Sequence, residues 1–463
     1  MIKKDEIRQK AKEFDISIVN LQRDYLFGWI LSTIYSKSDL GKKLILKGGN
    51  VFRKAYFSET RFSDDLDFTT DSKIDSNWAL NQFNEVCGIV QKLTGVQFII
   101  NENRVKSERV IELRKNERNK TVYKIRLYFV DFSGEQGEIT ISIRVDITDF
   151  DKIYLPINKR ILIHPYSDRE QCRTEISCLQ LEEALANKLK CLLQRRKASD
   201  LFDLSYSLLI KNDLNINKSD LVHVFLKKTI FEQSPVAAKE LFLQLPFEGL
   251  KILWKKYIIC PKKARDFFHL ETNLLVEMIN GLFENFNYGH HKISHYFPAR
   301  DRDLILDAGK NSTLLKINYQ NRTRMVEPYS LVFKKRKDGL AREYLYVYDQ
   351  TGGNSSGPGV KTFVNEGVVN IEQTEEKFDS KYEIELSKMG EKPGEGYFST
   401  SFKSAGKSRS KSSIKRGVNY QYKVACPYCN KEFYRKKLPY STKLNVHKDG
   451  YGNKCYGKTG YIV

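Results

Sequence analysis

Apolar positions along this chain recur with two different periods, and the switches between them divide it. Residues 5–37 read as two helices, the second with Ile18, Leu21, Leu26, Trp29, Ile30 and Ile34 at helical spacing. Leu44, Ile45 and Leu46 then run into Gly48 and Gly49, and a helix-competent stretch from Asn50 to Tyr56 follows, which predicts strand, tight turn and helix. A helix over about 77–93 is expected next, then the strand runs VQFIIN, TVYKIRLYFVDF and EITISIRVDITDF, the last two joined through Ser133, Gly134 and Glu135. That order predicts a mixed sheet flanked by helices. The period lengthens again where Leu181, Leu185, Leu189 and Leu192 form an apolar helical stripe. A break near Ala198 makes Ser199 the expected N-cap of a further helix, with Asp200 in its first turn, and residues 214–286 stay helical with Trp254 and several phenylalanines as core. Beyond Pro298 the runs are β-rich and separated by turns, enough for a small barrel.

Composition narrows the setting. At 463 residues the chain is long enough for two or three cores. No stretch reaches the roughly 18 apolar residues of a membrane span, and the charged N-terminal helix lacks a signal-peptide apolar centre, so a soluble cytoplasmic protein with no membrane partner is expected. The eight cysteines are scattered apart from the last three, which suits reduced thiols. The formal charge is +21, and residues 391–463 hold sixteen Lys/Arg against four Asp/Glu. A polyanionic partner is expected, and the tail is where it would be met.

Candidate chemistry gathers in the stretch LKGGNVFRKAYFSETRFSDDLDF. Glycine lets a phosphate approach the backbone, so Lys47, Gly48, Gly49, Asn50, Arg61 and Ser63 are the candidate triphosphate contacts. Residues two apart in a strand share a face, so Asp65 and Asp67 present their carboxylates together while Asp64 points away. Such a pair suits Mg²⁺ bridging a nucleoside triphosphate. Asp146 lies between Val145 and Ile147 in a β-branched run, where a buried carboxylate needs a cation, a metal or solvent. It is the candidate third ligand, although an edge-strand position facing water, or Asp149 or Asp151 in its place, fits the pattern as well. Lys188 falls about 20° from Leu181 on the helical wheel, at the flank of the apolar stripe. From there it can snorkel to water or reach into a cleft and hold phosphate. Asp200 has a sufficient local reason in the helix dipole, but the break near Ala198 allows the next helix to fold back toward Lys188.

Toward the C-terminus, residues 388–417 are rich in Gly, Ser, Lys and Arg and read as a flexible basic linker. It leads to CPYC, with Cys426 and Cys429, and then to His447 and Cys455 after gaps of 17 and 7 residues. These four residues are the ligand set of a structural Zn²⁺ site, with a redox dithiol as the alternative. Zinc would supply the folding energy that so small a segment lacks. Lys431, Arg435, Lys436, Lys437, Lys443 and Lys448, interleaved with Phe433, Tyr434 and Tyr440, make a nucleic-acid-binding face.

The succession LQRDYLFGWIL, LKGGNVFRKAY, RFSDDLDF, EEALANKLKCLLQRR and SDLFDLSY resembles the AbiEii/AbiGii-type nucleotidyltransferases, toxins of toxin–antitoxin and phage-defence loci within the DNA polymerase β-like superfamily. The likeness covers about residues 5–285. It implies that Gly48, Gly49 and Ser63 line a triphosphate site, that Asp65 and Asp67 hold Mg²⁺, that Lys188 contacts phosphate and that Asp200 completes the pocket. Asn50 stands where the family has Thr or Ser, and Ser199 where it has a basic residue, which implies an altered nucleotide preference. Residues 301–386, with KINY, R-x-x-EPY and YLYVYD, resemble the WYL domain, an Sm/SH3-like barrel; Lys361 and Phe363 stand in place of its Arg-x-Phe signature. The fold expected is therefore an α+β multidomain chain: a polymerase β-like nucleotidyltransferase mixed sheet (1–212), a helical lobe of the same unit (213–297), a WYL-like SH3/Sm-like β-barrel (298–387), the linker (388–417) and a zinc-binding finger (418–463). The activity expected is Mg²⁺-dependent transfer of a nucleotide from an NTP to an RNA 3′ end, plausibly tRNA, with an antitoxin protein as partner. The alternatives are transfer to a protein side chain and a non-catalytic nucleic-acid-binding regulator.

Overall fold

The computed structural model describes residues 2–110, 120–133, 140–149, 151–211, 214–289, 295–335, 340–353, 356–382 and 384–386, with parts of 422–462. Seven strands make the large sheet: β1 (Ile45–Lys47), β2 (Asp65–Thr69), β3 (Arg104–Val110), β4 (Lys120–Val130), β5 (Thr140–Thr148), β6 (Asn158–Ile161) and β7 (Glu175–Cys178). Their order is β3-β4-β5-β2-β1-β7-β6, and the sheet is mixed. The short β2 lies at its centre, parallel to β5 and antiparallel to β1. On β2 and β5 the residues Leu66, Phe68, Val145 and Ile147 are fully buried and face the core, so the aspartates between them take the opposite face.

The core face is covered by α1 (Lys4–Phe14), α2 (Ile18–Lys37) and, after α3 (Gly48–Val51), by α4 (Ser76–Thr94). Thirteen residues of α2 are buried, including the polar Gln22 and Asp24, so this helix is enclosed on more than one side. Asp24 accepts from Arg53 Nε at 2.7 Å and meets Lys54 Nζ at 3.0 Å. That buried pair fastens α2 to the π-helical turn Phe52–Tyr56 that continues α3. A short α5 (Arg169–Cys172) precedes α6 (Leu181–Arg195) and α7 (Ala198–Ser205), and α8 (Lys218–Lys227), α9 (Pro235–Leu243), α10 (Phe247–Tyr257) and α11 (Thr272–Leu282) complete the helical part. All share one hydrophobic core running from Ile2 to Tyr296, in which Trp254 is fully buried and donates its indole N–H to Ala198 O at 2.9 Å.

A second core, Phe297 to Leu386, lies between α12 (Ala299–Asn311) and a five-stranded antiparallel sheet of β8 (Thr313–Tyr319), β9 (Arg322–Lys335), β10 (Ala341–Asp349), β11 (Gly359–Phe363) and β12 (Val368–Lys377), in the order β11-β10-β9-β8-β12. A third small cluster contains Cys426, Leu444 and Cys455. It lies beside β13 (Tyr422–Ala425), β14 (Glu432–Arg435), β15 (His447–Lys448), β16 (Lys454–Cys455) and β17 (Tyr461–Ile462).

Two local expectations are corrected. VQFIIN is not a strand: Phe98 makes one isolated bridge to Phe129, a 3₁₀ turn follows at Ile100–Glu102, and the edge strand starts at Arg104. The apolar run serves instead to bury Val96 and Phe98 at the end of α4. Ser199 is not an N-cap, because α7 begins one residue earlier with Lys197 in the cap position and no side-chain cap bond. The basic linker 388–417, Gly134 and Glu135, and Lys436, Lys437, Tyr440 and Lys443 lie outside the described residues. Among the described residues no helix is long and apolar enough to cross a membrane.

Candidate active site

Strand β1 ends at Lys47, and the chain then turns at Gly48 with φ +69°, a conformation that disfavours a side chain. A Cβ at Gly48 would run into the Asp67 carboxylate, and one at Gly49 would come within 2.6 Å of Ser63 Oγ and 2.8 Å of Arg61 Nη2. The glycine pair therefore lies directly against the acidic strand. Ser63 Oγ donates to Asp65 Oδ1 at 3.1 Å. Asn50 is fully buried and its amide nitrogen donates to the Asp65 carbonyl, which ties α3 to β2; its Oδ1 accepts no hydrogen bond.

Register brings a third carboxylate to this face. Asp67 is the direct partner of Asp146 across the parallel β2–β5 pair, so the two side chains share a face with Asp65. Asp149 instead accepts from the Thr121 backbone N–H at 2.7 Å, and Asp151 pairs with Lys47 and accepts from Thr148 Oγ1 at 2.8 Å. Both alternatives to Asp146 are thus engaged away from the pair. Lys47 Nζ also donates to Thr148 Oγ1 at 2.6 Å, so it flanks the site through β5.

The electrostatics of the cluster are those of a cation site. Burial, then the charges of Asp65 and Asp146, pushes the Asp67 carboxyl up to about 8 against the pull of Lys47 and Lys188. Burial and Asp65 likewise raise Asp146. Asp146 Oδ1 is buried with no hydrogen-bond donor, and Arg126 Nη1 stands 3.7 Å away. Carboxylates gathered this way leave a negative site that hard divalent cations with oxygen ligands suit.

A second group closes the other side. Residue 196 takes a left-handed conformation, φ 49°, where α6 ends, and this folds α7 back along α6. Lys188 is buried, its Nζ 3.1 Å from Asp200 Oδ1 and 2.8 Å from Asp203 Oδ2, so it does not snorkel to water. Arg61 grips Asp203 with two bonds of 2.7 Å, and Arg195 grips Asp200 at 2.8 and 3.0 Å. Burial would raise Asp200, but Arg195 and Lys188 hold it well below the usual carboxylate range. Lys197, buried beside Arg195, is pushed down to about 7 by burial first and by that guanidinium second. Asp203, Arg195 and Lys197 escaped the sequence reading. The spacing of Asp203, three residues after Asp200 on a helix, was the signal available.

Far along the chain, Cys426, Cys429, His447 and Cys455 bring one ligand atom each to within 4.8 Å of all the others. Cys426 Sγ is 3.7 Å from Cys455 Sγ, close to the edge of about 3.8 Å of a tetrahedron with Zn–S bonds of about 2.3 Å. The His447 Nδ1 lies 2.8 Å from the Asn445 carbonyl, to which it must donate, leaving Nε2 as the ligating nitrogen 3.3 Å from Cys429 Sγ. The donor set fits zinc.

Residues 29–259, just under half of the chain, match the family described as nucleotidyl transferase AbiEii toxin, type IV TA system. Among solved structures, MenT4, a nucleotidyltransferase toxin from Mycobacterium tuberculosis H37Rv, is 16% identical with a TM-score of 0.38, over 61% of this chain and 89% of that one. No curated protein matches. A purely non-catalytic regulator is thereby set aside: residues 29–259 are similar to the AbiEii family of nucleotidyltransferases, which supports a nucleotidyltransferase.

Proposed function

We propose that the protein transfers a nucleoside monophosphate from an NTP to the 3′ hydroxyl of an RNA, most plausibly a tRNA, and that it acts in the cytoplasm as a toxin or phage-defence effector held in check by an antitoxin protein. The observation that carries this reading is the orphaned Asp146 Oδ1 beside Asp65 and Asp67, against a glycine turn that no side chain could occupy. Asp65, Asp67 and Asp146 would hold Mg²⁺, which supplies charge neutralisation on the triphosphate and activation of the acceptor hydroxyl. Gly48 and Gly49 let the phosphates approach the backbone, and Ser63 keeps Asp65 oriented. Lys188, held between Asp200 and Asp203, faces the triphosphate as a point charge, with Arg61 braced on the same Asp203. The acceptor oxygen attacks the α-phosphorus and loses its proton, the bond to the bridging oxygen breaks, and pyrophosphate departs.

The remaining parts are read as accessories. Cys426, Cys429, His447 and Cys455 would hold Zn²⁺, which would supply folding energy to the C-terminal segment. The unit spanning α12 to β12 is a WYL-like adaptor whose Lys361 and Arg324 are both held by the buried Asp349.

The test offers total tRNA to the purified protein with Mg²⁺ and each labelled NTP in turn. Label should migrate with RNA and vanish in Asp65→Ala with Asp67→Ala. Label in protein would move the acceptor to a side chain; no transfer, or transfer that survives the double substitution, sinks the reading.

A further inference from the structure

The face of the large sheet opposite the core carries a second pattern beside the carboxylates. Direct cross-strand partners share a face. Stepping outward from Asp65, the partners are Arg144 on β5, Arg126 on β4 and Arg104 on β3. From Asp67 they are Asp146, Lys124 and Lys106. Because residues two apart on a strand lie on the same side, these rows form one block, with five cations leading to the three carboxylates. From β3 to β2 it spans three strand spacings, roughly 14 Å.

Arg104 with Arg126, Arg126 with Arg144 and Lys106 with Lys124 are like charges placed directly opposite one another, an arrangement that destabilises a sheet. Arg126 has Asp146 at 3.7 Å and Arg144 has Asp64 at 3.6 Å. Exposure grades along the block: the Arg144 and Arg126 side chains are 8% and 11% accessible, whereas Arg104 and Lys106 are exposed at the edge. The Cys/His segment rests on that outer end. Asn453 Oδ1 accepts from Arg104 and from Tyr128 OH, the latter at 3.3 Å, and the exposed Lys431, Lys448 and Lys454 belong to the same segment.

We propose that this block is the acceptor track: a single-stranded 3′ end of RNA lays its phosphates on Arg104, Lys106, Lys124 and Arg126, enters past the Cys/His segment and brings its terminal hydroxyl to Asp65, Asp67 and Asp146. The track is two residues wide and ends at the carboxylates, which fits a polynucleotide strand. A protein partner would cover a broader surface. The end point rests on the nucleotidyl-transfer reading, so the test measures binding without NTP.

A fluorescent single-stranded RNA with a free 3′ hydroxyl is titrated with the full-length protein over a range of salt. Arg104→Ala with Lys106→Ala should weaken binding roughly tenfold or more at about 0.1 M salt and lower the salt slope by about 1.4, the contribution of two phosphate contacts on a single strand. The charge-preserving pair Arg104→Lys with Lys106→Arg should retain binding. An unchanged affinity and slope in the alanine pair overturns the proposal. So does an equal loss in Lys37→Ala with Lys92→Ala, which removes two exposed charges from α2 and α4. Poly-glutamate binding as tightly as the RNA would make the face one for acidic protein, and likewise overturns it. Wild-type protein that binds the RNA through this block yet transfers no nucleotide would sink the transfer reading and leave the track standing.

Discussion

The Asp67 carboxyl shows how a single residue reports on the site. Its ordinary value is 3.8, and burial with two acidic neighbours moves it to about 8. Between those values the folded protein binds a proton that the unfolded chain releases, so stability falls as pH rises through that window. A divalent cation binding the ionised form reverses the loss. In Mg²⁺-free buffer the melting temperature should therefore decline from pH 5 to pH 8, and the rise on adding Mg²⁺ should grow over the same range. Asp67→Asn should remove both trends. A melting temperature that is flat across the window, or a Mg²⁺ effect that persists in the variant, would contradict the assignment of this side chain. Asp65 and Asp67 were legible from their spacing alone, because a strand has a period of two. Asp146 was not, since choosing it over Asp149 and Asp151 needed the β2–β5 register.

At the scale of elements, the turn between α6 and α7 carries the cationic half of the site. Its support comes from beyond the family-matched region. Arg302 of α12 donates to the Leu193 carbonyl near the end of α6 at 3.0 Å and to Glu343 of β10 at 2.7 Å, all of them buried. Arg196, in the left-handed position, pairs with Asp303. Removing one partner of a buried pair strands the other charge, so Arg302→Ala should destabilise the protein by about 3–5 kcal/mol. Denaturant unfolding checks the number, and a loss below about 1 kcal/mol would mean that the pair is solvated. Sequence patterning found these helices because their apolar stripes are long. It missed the edge strand at Arg104, whose RVKSERV offers little hydrophobic alternation and is recruited by pairing with β4.

For the whole molecule, residues 391–463, largely outside the described residues, hold +12 of the charge of +21, and a block of five cations lies on the large sheet. The Cys/His segment joins them through Asn453. If zinc folds that segment, the purified protein should contain one Zn²⁺ by elemental analysis. Cys426→Ser with Cys429→Ser should lose the metal and open residues 418–463 to proteolysis while residues 29–259 stay protected. Full metal content in that variant would remove the assignment.

What the sequence determined by itself was local: the helical and strand periods, the glycine pair before two carboxylates, the CPYC knuckle with its later His and Cys. These follow from rules that act within a few residues of chain. Tertiary structure alone decided which distant groups meet. It set Asp146 beside Asp67 through strand register, placed Lys188 between Asp200 and Asp203 by folding one helix back on another, and aligned Arg104, Arg126 and Arg144 across three strands. The reason is physical: each juxtaposition depends on hydrogen bonding between strands, or on packing of helices, that lie far apart along the chain, and no short-range periodicity encodes them.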